Sequence, residues 1–91
     1  MPMNPSLDAQ ASEQLLNISE ALFNSMIDQQ RAKVLRLARE AVPYISSEDV
    51  MNPDDFPQLK AHPTFEFEDG ILAGLVSAQM ALRAELKKRL P

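Results

Sequence analysis

The chain contains no cysteine and no tryptophan, only two glycines and a single histidine. Without cysteine there is no disulfide framework, no thiolate zinc site and no cysteine nucleophile. The absence also fits a reducing compartment, and the expected location is the cytoplasm. The glycines, Gly70 and Gly74, form no Gly-x-Gly loop, and no Lys-Ser/Thr pair follows them, which excludes a phosphate-cradling motif. No serine sits in a Gly-x-Ser-x-Gly setting, and His62 alone cannot supply a His-x-x-x-His pair. Long apolar runs are missing too. The most apolar window, 70–82, is interrupted by Ser77 and Gln79. A membrane span needs about 20 apolar residues, so none is expected. The first residues, MPMNPSLDAQ, lack the basic and apolar regions of a signal peptide.

What remains is an ordinary globular composition. The 91 residues are 45% hydrophobic and 24% charged, with a net charge of -4. The length predicts one domain, 1–91. A chain this short has little core to spare, and association is the common remedy. The charge falls in blocks. Residues 1–30 carry four acids and no base, and residues 31–39 four bases and no acid. Residues 40–69 carry eight acids against Lys60, and residues 70–91 four bases against Glu85. Alternating blocks suit pairing between segments or between subunits. They suit a duplex binder poorly, because neutralising phosphates needs a basic face free of nearby acids.

Residues 1–10 show no periodicity and read as a frayed start, although Asn4-Pro5 or Ser6 can cap a helix. From Ser12 to Val42 there is no glycine or proline, which predicts one long helix or two end to end. Leu16, Phe23, Ile27, Gln30, Val34, Leu37 and Ala41 fall on one stripe. Leu15, Ile18, Leu22 and Met26 form a second stripe, so the N-terminal half is apolar on two sides and needs cover on both. Pro43 ends the helix. A proline-rich connector spans 43–64, with capping-box spacing at Ser46 and Asp49 and a short helix near 53–61 opened by Asn52-Pro53. Phe56, Leu59, Phe65 and Phe67 are expected to anchor it. The last helix is expected from Thr64–Glu66 to Lys88, with Thr64 as its cap. Its large apolar face is Ile71, Leu75, Leu82 and Leu86. A separate stripe of small residues, Gly70, Gly74, Ser77, Ala81 and Ala84, offers a close approach to another helix.

The fold class is therefore all-α: two long helices joined by a connector with one or two short turns. A straight helix over 12–42 is about 46 Å long, whereas a compact body of this size is only about 30 Å across. The overhang and the two-sided helices predict a homodimer, intertwined or side by side. The expected interface is Leu15, Ile18, Leu22 and Met26 with Gly70, Gly74, Ser77 and Ala81. Arg31, Lys33, Arg36 and Arg39 form a basic patch that suits a protein partner with an acidic surface. No catalytic, cofactor or metal residue is assigned. The leading expectation is a non-catalytic interaction module: an adaptor, small chaperone or regulatory subunit. Two alternatives stand beside it. One is a metal-binding protein or metal-dependent enzyme using the acids of 54–69 with His62. The other is a nucleic-acid regulator using the 31–39 patch.

Overall fold

The structure, a computed structural model, describes residues 5–89. It is all-α, with no strand among the described residues. Helix α1 spans Pro5–Ala41, α2 Ser47–Val50, α3 Pro57–Lys60 and α4 Pro63–Arg89, and a 3-10 turn at Pro53–Asp55 separates α2 from α3. Helices α1 and α4 run antiparallel side by side. Gln30 meets Glu68, Asn24 meets Gln79 and Glu20 meets Arg83. The molecule is therefore a rod of 61 × 18 × 17 Å with a radius of gyration of 18.3 Å. A compact chain of this length has a radius near about 12 Å. α4 lies along most of α1, and the first turns of α1 project beyond the end of α4.

Helix α1 is one uninterrupted helix of 37 residues. No break occurs at 24–28, because no glycine or proline interrupts the stretch and Ile27 there is only 4% exposed. It begins at Pro5, so residues 5–10 are helical despite their lack of periodicity, with proline at the first helical position. Pro43 stops it, since a proline disfavours the helical state of the residue before it. Val42 still donates to the Ala38 carbonyl at 2.8 Å, and the Ile45 amide then turns back to the Val42 carbonyl at 3.0 Å.

The connector is a series of capped turns. At α2 the Ser46 hydroxyl accepts from the Asp49 amide at 3.1 Å. The Asp49 carboxylate accepts from the Ser46 amide at 3.3 Å, completing the expected capping box. Pro53, Pro57 and Pro63 each stand at the first position of a helical segment, where the missing N–H costs nothing. Two expectations are corrected. Asn52 does not cap the 3-10 turn through its side chain. Thr64 does not cap α4 either, because that helix starts one residue earlier, at Pro63. His62 precedes it, and its Nδ1 accepts the Phe65 amide at 3.1 Å, which is the cap arrangement.

The core sits at the connector end. Val34, Leu37 and Ala38 of α1 meet Ile45, Leu59 and Phe65, with Phe56 and Leu72 packed against them. Leu59 and Phe65 are fully excluded from solvent. Phe67 does not join them and is 68% exposed. Two residues on a helix turn the side chain about 200° away, so Phe65 and Phe67 cannot both face the core.

Beyond this head, the two helices share a single seam. On α1 it runs Leu16, Glu20, Phe23, Ile27, Gln30, Val34, Leu37 and Ala41; on α4, Phe65, Glu68, Leu72, Leu75, Gln79, Leu82 and Leu86. The alternating steps of three and four are the 3.5-residue repeat of a coiled coil. The predicted α1 stripe is this seam. On α4, Leu75, Leu82 and Leu86 belong to it, whereas Ile71 lies outside it and is 40% exposed.

Leu59→Ala is expected to cost about 2–5 kcal/mol, the usual loss for emptying a closed apolar site. His62→Ala removes the α4 cap and costs about 1 kcal/mol, while Thr64→Ala stays within about 0.5 kcal/mol, as surface changes do. Urea denaturation of the three variants checks the ranking.

Candidate functional site

The acids of 54–69 are drawn apart by separate partners. Asp54 pairs with Lys60. Glu68 receives Lys33 Nζ at 2.8 Å and Gln30 Nε2 at 2.6 Å. His62 Nε2 faces Glu40 at 3.3 Å, while its other ring nitrogen caps α4. Among the described residues, no group of three or more His, Cys, Asp or Glu side chains is placed to hold a metal ion.

The basic patch is likewise divided. Lys33 is bound to Glu68, and Arg39 Nε donates to the Ile45 carbonyl at 3.3 Å. Arg31 lines a groove between the helices, and Arg36 is exposed. The charge blocks thus pair within the chain. The basic end of α1 meets the acidic start of α4, and Glu20 in the acidic half meets Arg83 near the basic end of α4.

These contacts set the ionisation of the seam. Hydrogen bonding from Arg83 lowers the Glu20 pKa. Hydrogen bonds from Lys33 and Gln30 lower that of Glu68, against the opposing effect of burial. Asp69 moves the other way: burial raises it first, and the nearby Glu66 charge adds to this. Asp69 lines the groove with Arg31, Leu35, Val50, Leu72 and Val76, around a cavity of about 360 Å³.

The groove marks one side of the rod. In an antiparallel pair, positions rotated in the same sense from the two seams share a side. One sense leads to Asn24 and Arg31 on α1 and to Asp69, Val76 and Arg83 on α4; Arg31, Asp69 and Val76 line the groove there, while Arg83 reaches Glu20 at the seam and Asn24 reaches Gln79. The other sense, by about 70–150° on α1, leads to Leu15, Ile18, Leu22 and Met26, with Ile18 the farthest round. On α4 it leads by about 60–100° to Ile71, Ala78 and Phe67. The second α1 stripe and this edge of α4 therefore lie on the same side of the rod, opposite the groove. The stripe is uncovered: Leu15 is 47% exposed, Ile18 65%, Leu22 57% and Met26 37%.

The small-residue stripe lies farther round α4. Gly74 and Ala81 border the apolar face, and Gly70 and Ser77 point almost directly away from α1. All four are exposed, and a Cβ built on Gly70 or Gly74 meets nothing within 4 Å. No helix among the described residues crosses them. The eight residues of the expected interface are thus all on the surface, spread around α1 and α4 rather than gathered on one plane.

Sequence reasoning missed three features. Asn24 and Gln79, joined at 2.9 Å, were hidden because polar residues break an apolar pattern. Asp69 entered the groove unannounced, since α2 is placed there only by the fold. Phe67 was expected among the anchors but lies on the outer face, because its helical offset from Phe65 turns it away from the core. No helix among the described residues is long and apolar enough to cross a membrane. Comparison with protein-family models, with curated proteins and with solved structures finds no match. Among the described residues the fold is an antiparallel helical hairpin with large apolar side chains exposed on the side opposite the groove.

The lowered pKa of Glu20 and Glu68 means that these carboxylates stabilise the fold above about pH 4.3, the ordinary glutamate value, and lose that contribution as pH falls through their folded values. Asp69 has the opposite sign, favouring the fold at acidic pH and losing that as pH rises through its raised value. Thermal melts should show Glu68→Gln lowering Tm at pH 7, with the difference closing in acid. Asp69→Asn should raise Tm at pH 7.

Proposed function

We propose that this chain is a non-catalytic helical interaction module that works as a homodimer, in the role of an adaptor, small chaperone or regulatory subunit. The observation that carries the reading is the uncovered face of Leu15, Ile18, Leu22 and Met26 beside Ile71, Ala78 and Phe67. Large apolar side chains left exposed on one side of a helical rod support a contact site there. The polar clusters are engaged in holding the hairpin together, and none converges on a shared point where a substrate would react.

A further partner with an acidic surface would meet Arg31 and Arg36, the two bases of the patch not bonded to α4 or the connector among the described residues. The metal reading lacks a gathered ligand set, and the nucleic-acid reading would have to displace Lys33 from Glu68. A cytoplasmic setting accords with the cysteine-free composition.

Light scattering at micromolar concentration tests the homodimer. A mass twice the 10.2 kDa of one chain is expected, and a single-chain mass would end the reading. Gly74→Leu sharpens it. A Cβ at this position meets nothing within 4 Å, so helicity should persist while assembly or partner capture weakens.

A further inference from the structure

We infer that two hairpins pack through these apolar faces about a two-fold axis parallel to the rod, so that α1 of each copy lies against α4 of the other in a four-helix bundle. This arrangement rests on the homodimer proposed above and specifies its geometry.

Three observations support a second copy of this chain as the occupant. The first is area. A compact monomer of this mass exposes about 5,300 Å². This chain exposes 6674 Å², an excess of about 1,400 Å² over that scaling. A stable interface of standard size takes about 800 Å² from each partner, so a face-to-face contact fits within the excess.

The second is shape. The face carries a ridge and a trough at the same height. Asn24 is level with Gln79 and Glu20 with Arg83. At a rise of about 1.5 Å per residue, Leu22 therefore stands level with Ala81, and Met26 with Ser77 and Ala78. Large side chains on α1 lie abreast of small ones on α4. A rotation about the rod axis keeps heights unchanged and exchanges the two helices. It seats the Leu22 and Met26 ridge of each copy on the Gly74, Ala78 and Ala81 shoulder of the other. Both contacts form together, as an isologous interface requires. A rotation about a perpendicular axis would instead set the α1 ridge of one copy against the α1 ridge of the other and leave the small shoulders unfilled.

The third is the remainder of the face. At the connector end, Phe67 and Ile71 stand level with Gln29 and Lys33 of α1. In the same arrangement they meet those residues and Arg36 from the second copy, whose aliphatic stems cover apolar surface while their charges stay in water. The groove of Asp69 and Arg31 faces away from the interface and stays open on both copies.

The absence of cysteine makes the geometry testable by single thiols. Met26→Cys and Ala78→Cys are purified separately, then unfolded and refolded together under mild oxidation with diamide. The arrangement requires a disulfide-linked pair containing one chain of each kind, and little cross-linking in either variant refolded alone. Cross-linking of Met26→Cys with itself, or of Ala78→Cys with itself, would overturn the parallel axis while leaving the dimer in place. A dimeric mass without any cross-link would overturn this face as the contact. A single-chain mass by light scattering would instead overturn the homodimer itself.

Discussion

Two helices lying side by side can share only one seam, and everything else about this molecule depends on that constraint. Each helix buries one stripe about a third of its circumference wide. The chain commits its one seam to the series around Ile27 and Val34 on α1 and around Leu72 and Gln79 on α4. The remaining apolar residues of a 45% hydrophobic chain have no further layer to enter. Only the connector adds a third element, and it does so at one end, where Ile45, Leu59 and Phe65 close a small core. The molecule is consequently a packed head with a stem that carries apolar side chains on its outside.

Polar contacts across the seam mark the register of the stem. Glu68 and Gln79 are buried positions in the α4 seam, at 8% and 7% exposure. Each has a partner, Lys33 with Gln30 for Glu68 and Asn24 for Gln79, so neither leaves an unsatisfied group inside. A polar pair in a coiled-coil seam gives up some stability relative to leucine and fixes which residues may face each other. The charge blocks act in the same sense over a longer range. The bases of 31–39 fall beside the acidic start of α4, and Glu20 falls beside Arg83. A hairpin shifted by one turn would separate these partners. The alternation of charge along the chain is thereby explained within one subunit, and it no longer argues for contact between two.

Periodicity and punctuation were what the sequence made legible. The α1 stripe from Leu16 to Ala41 was visible because its members are nearly all apolar and no glycine or proline interrupts them. The stop at Pro43 and the capping box at Ser46 and Asp49 follow from local stereochemistry, which needs no knowledge of the rest of the fold. The α4 seam was only half legible, because Glu68 and Gln79 occupy two of its positions and carry the wrong polarity for the pattern. Their burial is decided by partners 38 and 55 residues away. The cap of α4 was missed for a related reason: threonine is a common cap residue, but Pro63 can occupy the first helical position and so moves the start back to His62. For the surface, the two-sided character of α1 was readable from the sequence. That the Ile71 edge of α4 joins it on the same side was not, since this depends on the direction and register of packing.

The glycines give the last step. A glycine inside a helix costs about 1 kcal/mol relative to alanine. Gly70 and Gly74 both stand in the interior of α4. The usual structural justification is a close neighbour that a methyl group would strike. Within this chain neither position has one, since a Cβ at either meets only open space within 4 Å. Nor does either adopt a positive φ, which would require glycine for backbone reasons. The hairpin alone would be more stable with alanine at both sites. The same helix leaves Ala78, Ala81 and Ala84 on its outer surface, where longer charged side chains would serve a solvated stem at least as well. A shoulder kept small at a local cost, beside a ridge kept large and uncovered, is what the proposed pairing of two hairpins would account for. That is the physical ground for treating the single hairpin as one layer of an assembly.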